Sequence, residues 1–317
     1  MPLAVESYPR MEAEFLKHVR SQPGTELIGD DAAVIGDRII TVDMLTDGVD
    51  FILAETDPQW IGRKALAVNL SDIAAMGGVP RWIFMAAALP RTGALGLAKQ
   101  LLAGAKPLID KYHLILAGGD TNTWDGGLVV SITLIGDVTK RGVFRRSGGK
   151  AGDRILVTGK LGGSILKHQF FFEPRVSEAL YLNEHYEIHA AIDISDGLSL
   201  DLHRLATESR LGATLVETAI PIAEDAVKRS QQSGRLPLDH ALSDGEDFEL
   251  LFSLAPQEAE RLLMLQPFQS SDVTLYDIGE LTAEPGLRMV RANGIRVPLI
   301  PRGFEHGTHS VQSADPP

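Results

Sequence analysis

Apolar residues recur along this chain with the two periods of helices and strands, and short polar motifs punctuate them at the junctions. Phe15 and Val19 are spaced for one face of an amphipathic helix over 11–20. Residues 39–42 read as a strand that delivers Asp43 at its end. Asp57-Pro58 is a helix start, a capping carboxylate followed by proline at the first helical position. That helix carries Ile61, Ala65, Val68 and Ile73 until Gly77-Gly78 stops it, and it sets Asn69 and Asp72 on one side. Residues 82–89 read as a buried-type strand, and 95–112 as a helix that Pro107 kinks or divides. A strand over 114–117 ends at Gly118-Gly119-Asp120, and 128–138 alternates like a half-buried strand.

The second half repeats the alternation. Strands are expected over 154–158, 190–194, 248–254 and 273–278, with helices over 198–209 and 257–265. Leu198, Leu202 and Leu205 form the inward face of the first of these helices. Residues 159–186 show no clear period. The basic, glycine-rich stretch from Arg145 to Asp153 is the best boundary, which gives domains over 1–146 and 147–306 and a disordered tail over 307–317. At 317 residues the chain exceeds a usual single core, so two α/β domains are expected on length as well.

Charge and composition narrow the function classes. A net charge of -12 without any Lys/Arg-rich run argues against a nucleic-acid surface. The absence of cysteine excludes disulfides, thiolate zinc sites and a cysteine nucleophile. Residues 1–20 lack the apolar stretch of a signal peptide, and 82–89 is too short to span a bilayer. A cytoplasmic enzyme without membrane or nucleic-acid partners is expected.

Six short motifs pair carboxylates with glycine or small polar residues: Ile28-Gly-Asp-Asp31, Thr41-Val-Asp43, Asn69-Leu-Ser-Asp72, Ala117-Gly-Gly-Asp-Thr-Asn122, Asp193-Ile-Ser-Asp-Gly197 and Ser243-Asp-Gly-Glu-Asp247. Buried carboxylates are costly unless a cation compensates them. Such sets beside packed elements point to a shared divalent cluster, and all-oxygen ligands favour magnesium over zinc. Asp31, Asp43, Asp72, Asp120, Asp193 and Asp196 are the main constellation, although each alone is an ordinary turn or cap residue. Asp196 in particular stands where the 198–209 helix needs an N-cap.

No phosphate-binding G-x-x-x-x-G-K-[ST] loop is present, since Gly149-Lys150 precedes Ala151 and Gly159-Lys160 precedes Leu161. Use of ATP would therefore run through metal-bridged phosphates, with Gly118, Gly119 and Gly148-Gly149 allowing close backbone approach. Arg146 is either a phosphate clamp or a solvated loop residue; Glu246 and Asp247 either cap a turn or face a ligand. His185 and His189 are four apart without the glutamate spacing of a zinc motif, which suits surface histidines on a helix. Ser164 has no evident base, so a serine hydrolase is unsupported.

Together these motifs resemble the thiamine-monophosphate kinase family, within the aminoimidazole-ribonucleotide synthetase-like superfamily. The resemblance runs from Ile28 to about Phe304 and rests on residues 64–77, 117–121 and 191–198, with Arg146-Ser-Gly, Gly152-Asp153 and Gly245-Glu-Asp-Phe-Glu-Leu-Leu251 adding to it. It implies an α/β (α+β) two-domain synthetase-like fold. The N-terminal mixed sheet would pair with a second subunit's into a barrel, and the C-terminal domain would be α/β. It also implies ATP and several magnesium ions in the cleft, with the γ-phosphoryl passing directly to thiamine monophosphate.

By matching position, the resemblance makes Asp31, Thr41, Val42 (through its carbonyl), Asp43, Asp72, Asp120, Asp193 and Asp196 metal ligands. Asp43, Asp72, Asp120 and Arg146 would serve the transfer itself. Gly119, Asp120, Arg146 and Ser195 would meet ATP, and Asp50, Glu246 and Phe304 would border the acceptor. Asp50 stands where the family usually has a histidine, and Asp244 replaces the first glycine of Gly-Gly-Glu-Asp; the segment 159–189 is short. A working kinase then requires Asp50 to bind a further ion or to point away from the acceptor phosphate. Another small acceptor, or a non-catalytic nucleotide-binding homologue, remains open at this point.

Overall fold

The computed structural model describes residues 11–304. The expected tail over 307–317 lies outside the described residues. After α1 (Met11–Arg20), the first half comprises β1 (Ala33–Ile35), β2 (Arg38–Thr46), α2 (Pro58–Ala75), β3 (Val79–Pro90), α3 (Ala94–Lys111), β4 (Ile115–Trp124) and β5 (Val129–Asp137). Its strands form a mixed sheet in the order β1-β2-β5-β3-β4, antiparallel except for β3 on β4. The Asp57 carboxylate accepts from the Gln59 amide at 2.9 Å and opens α2 as expected. Gly77, at φ 64°, ends it.

α2 is buried on most sides because it lies between this sheet, α3 and the second half. The approach of α3 needs glycine: a Cβ on Gly62 would sit 1.9 Å from the Leu101 carbonyl oxygen, and one on Gly104 1.8 Å from that of Gln59. α3 runs through Pro107 as one helix. α1 forms over the expected residues, yet Phe15 on its supposed inner face is exposed.

Among the described residues, the helices cover one face of the sheet. On the other face the cross-strand rows are Ile40–Ile135–Trp82–Ile115, Val42–Thr133–Phe84–Gly118 and Met44–Ser131–Ala86–Asp120. Val42, Met44, Phe84, Ile115 and Leu116 are exposed there or along the edge strand. β3 is therefore one-sided rather than buried. Two strands are longer than their apolar runs suggest. β2 carries Asp43 in mid-strand, and β4 continues through Gly118-Gly119-Asp120 instead of ending at it. Gly119 permits this, since a Cβ there would meet the Met85 carbonyl oxygen at 1.9 Å.

The second half comprises β6 (Arg154–Thr158), α4 (His168–Phe171), α5 (Val176–His185), β7 (Ile188–Asp193), α6 (Leu198–Glu208), β8 (Gly212–Val216), α7 (Glu224–Ser233), α8 (Pro237–Ser243), β9 (Leu250–Leu254), α9 (Pro256–Leu265), β10 (Leu275–Thr282), β11 (Gly286–Val290) and β12 (Arg296–Pro298). Its sheet runs β12-β11-β8-β10-β6-β9-β7, antiparallel except for β11 on β8. One apolar cluster passes from the first sheet through α2 to α5 and to Phe248, Phe252 and Leu275; a second lies under α6. α2 thus stands against β7, the edge strand of the second sheet, and the two halves meet there.

Candidate active site

That meeting brings carboxylates from three separate segments together. Asp72 comes from α2, Asp193 from the end of β7, and Asp31 from the segment before β1. One oxygen of each lies within 4.8 Å of the others. Hydroxyls orient them: Ser71 Oγ donates to Asp193 Oδ2 at 2.5 Å, and Thr41 Oγ1 donates to Asp72 Oδ2. Asp43 follows Thr41 on the helix-facing side of β2 and shares a hydrogen bond with Asp72.

Burial pushes the Asp43 carboxyl up to about 6, against the hydrogen bond to Asp72 and with help from Asp31 and Asp50. Asp72 and Asp193 are raised well above the usual carboxylate range, first by burial and then by Asp43 and Asp31 respectively. Arg146 brings a cation to the cluster, its Nη2 lying 2.7 Å from Asp31 Oδ1. Burial works against the Arg146 charge, but Asp31, together with Asp201 and Asp193, outweighs it and holds the guanidinium above its ordinary range.

Two buried atoms here have no hydrogen-bond partner among the described residues, Asp31 Oδ2 and Arg146 Nε. An acceptor and a donor left open side by side suit a cation on the carboxylates and an anion on the guanidinium. The donor set is all oxygen, as magnesium requires. Asp31, Thr41, Asp43, Asp72, Asp193 and Arg146 are thus brought together. Val42, whose carbonyl the resemblance enlists, turns an exposed side chain to the sheet's open face.

A second acidic group adjoins the first. Asp196 is not a helix cap; its carboxylate pairs with Arg204. Asp201, unnoticed in the sequence, does the capping: its Oδ2 accepts from the amides of Asp196 at 2.9 Å and Gly197 at 3.1 Å. Burial and the Asp196 charge push the Asp201 carboxyl up to about 7. An acidic residue in the first turn of a helix after Ser-Asp-Gly was the available signal. The Ser195 carbonyl accepts from the Glu246 amide at 2.7 Å, and that of Asp196 from the Phe304 amide at 3.0 Å. Ser195, Asp196, Glu246 and Phe304 therefore share one corner.

Glu246 belongs to a contorted loop, with φ of 73° at Gly245, 60° at Glu246 and 50° at Phe248. Left-handed conformations at such non-glycine residues cost about 1–3 kcal/mol each and concentrate at functional sites. Lys64, fully buried on α2, holds Glu246 Oε2 at 2.7 Å. The sequence reading included this lysine in the 64–77 motif but gave it no role. Asp50 is turned back, its Oδ2 accepting from the Thr46 amide at 2.7 Å. Asp244 is engaged by His240 Nδ1 at 2.7 Å and Arg235 at 3.4 Å. Asp247 is buried against Ser164 Oγ and the Gly162 amide, and burial pushes its carboxyl up to about 8.

Gly119 and Asp120 are placed elsewhere. Asp120 shares a row with exposed Met44, so it lies on the face opposite Asp43, and the three strand steps between them span about 14 Å. Its Oδ1 accepts from the adjacent Thr121 amide at 2.9 Å. The histidine pair is also separated. His185 ends α5 and contacts the Tyr181 carbonyl, whereas His189 is on β7, buried against Asp153 at 2.8 Å.

Comparison with known proteins points the same way. The AIR synthase related protein N-terminal domain family matches residues 29–138, and its C-terminal domain family matches residues 150–291. The thiamine-monophosphate kinase of Rhodopirellula baltica is 40% identical over 96% of this chain and 100% of its own. The crystal structure of thiamine-monophosphate kinase from Stenotrophomonas maltophilia K279a is 32% identical, covers 88% of this chain and 94% of that one, and has a TM-score of 0.70. A structure of AaThiL complexed with AMPPCP and TMP has a TM-score of 0.79 at 24% identity, covering 93% of this chain and 96% of that one, a likeness of fold.

Proposed function

The chain belongs to the thiamine-monophosphate kinase family, and from that membership we propose that it transfers the γ-phosphoryl group of ATP to the phosphate of thiamine monophosphate, giving thiamine diphosphate and ADP. The observation that carries this reading is the orphaned pair Asp31 Oδ2 and Arg146 Nε at the head of the carboxylate cluster. Asp31, Thr41, Asp43, Asp72 and Asp193 are the residues to hold magnesium, with Asp196 for a further ion. When bound, magnesium cancels the charge of two phosphate groups that would otherwise repel each other.

Phosphoryl transfer needs alignment and charge cancellation more than covalent help from the protein. Arg146 supplies a fixed guanidinium whose free Nε is available to a phosphate oxygen. The acceptor oxygen is already anionic, so no general base is assigned. Asp50 fits the kinase reading because its carboxylate is committed to the Thr46 amide rather than left facing an acceptor phosphate. Glu246 and Phe304 are proposed to border the acceptor beside the Ser195-Asp196 turn.

The open face of the first sheet supports a homodimer in which a second copy covers Val42, Met44, Phe84 and the exposed strand β4. Gly119 and Asp120 would then act at that interface rather than within one copy. We also propose residues 1–146 as the nucleotide and dimerisation domain and 147–306 as the C-terminal domain, in a cytoplasmic enzyme. No helix among the described residues is long and apolar enough to cross a membrane. A coupled assay for ADP tests the function: release should require both thiamine monophosphate and magnesium. Release without thiamine monophosphate, or none with it, would reject the reading.

A further inference from the structure

Lys64 lies on α2, inside the protein, with no exposed surface. Its ammonium makes two hydrogen bonds and one ion pair. Nζ lies 3.0 Å from the Asp50 carbonyl oxygen, 2.7 Å from Gln169 Oε1 and 2.7 Å from Glu246 Oε2. The three oxygens come from the turn after β2, from α4 and from the contorted loop before β9. Those segments are distant in sequence, and what they share is the acceptor corner of the cleft. The Phe170 ring adds a face 5.5 Å from the ammonium.

A buried ion pair is poor value as a staple, because an apolar side chain of the same volume would fill the space without desolvating a charge. What the lysine does achieve is to fix Glu246. The Glu246 side chain is 31% exposed, yet Oε2 is wholly buried, so the exposed part of the group is not the oxygen that Lys64 holds. Burial raises the Glu246 carboxyl above its ordinary range, and Lys64 works against that rise without cancelling it. Thiamine monophosphate carries a permanent thiazolium cation, for which a fixed carboxylate is the complementary group.

We propose that Lys64 is a positioning residue for the acceptor: by gripping the Asp50 turn, Gln169 and Glu246 together, it presents the Glu246 carboxylate to the thiazolium ring. This rests on the kinase reading above and adds an acceptor-side residue to it. With no exposed surface of its own, Lys64 acts through Glu246.

The test is a double-mutant cycle of Lys64→Met and Glu246→Gln, with Lys64→Arg as the conservative variant and steady-state kinetics in both substrates. Lys64→Met should raise the acceptor KM about tenfold or more, the loss of one charge-assisted interaction, while the KM for ATP changes less than about twofold. Lys64→Arg should recover part of that loss. In the Glu246→Gln background, Lys64→Met should add little. Should the single Lys64→Met chain fail to fold, the double variant leaves no uncompensated carboxylate, and its acceptor KM should match that of Glu246→Gln alone. Equal damage to both substrates, or a full further rise of acceptor KM in the Glu246→Gln background, would overturn the inference. A wild type that turns over thiamine monophosphate while Lys64→Met leaves its KM unchanged sinks this inference alone. A wild type inert to thiamine monophosphate sinks the kinase reading, and this inference with it.

Discussion

Asp43 and Asp120 occupy opposite faces of one sheet, Asp43 toward α2 and the carboxylate cluster, Asp120 in a row with Met44 on the open face. Both sit in motifs of the same sequence type, and the first sheet keeps them apart within one copy. A single chain therefore assembles most of the site and leaves one predicted ligand pointing at whatever covers that face.

If a second copy covers it, the solution mass should be twice 34.3 kDa. Phe84→Glu places a charge in the middle of the open face. Light scattering should then report the monomer mass, and ADP release should fall at least tenfold because Asp120 loses its place. A wild type that scatters as a monomer at assay concentrations would contradict the dimer.

Asp72→Asn removes one of the three clustered carboxylates and keeps its shape. Calorimetry with a non-hydrolysable ATP analogue should show binding weakened about tenfold or more, and the wild type should be weakened similarly in chelator. Equal affinity in every condition would contradict binding through bridging metal.

The raised carboxyl of Asp43 sets a pH dependence. Its folded value near 6 exceeds the unfolded 3.8, so between these the folded state holds more protons, and stability falls as pH rises through that window. In chelator, urea unfolding should show the wild type losing stability relative to Asp43→Asn from about pH 4 to about pH 6, and magnesium should reverse the loss. A difference that stays flat or runs the other way across that window would contradict the assignment.

Asp50 is committed to the Thr46 amide. Asp50→Asn should therefore leave acceptor KM within about twofold, whereas Asp50→Ala should lower stability by about 1 kcal/mol through loss of the turn cap. A sharp fall of acceptor KM in Asp50→Asn would mean that its charge faces the acceptor phosphate.

Much of this was legible in the sequence, and the reasons are local. Asp57-Pro58 marked the start of α2 because capping chemistry is a short-range matter. Alternation marked β5, whose two faces differ in burial. β4 was cut short because glycine usually ends a strand, whereas Gly119 continues one by fitting against Met85. Residues 159–186 looked irregular because α4 and α5 are short and pack on α2, far away in sequence. The carboxylates of the site were visible as motifs. The roles of Lys64, Gln169 and Asp201 were not, since they depend on which segments meet in space. His189 misled for the same reason: spacing suggested a helix surface, and a strand paired it with Asp153.

The most direct test of the account follows phosphorus. Phosphorus NMR of the wild-type protein with ATP, magnesium and thiamine monophosphate should show thiamine diphosphate and ADP rising in equal amounts, with no inorganic phosphate. ADP accompanied by inorganic phosphate and no thiamine diphosphate, or an unchanged ATP spectrum, would contradict direct transfer to this acceptor.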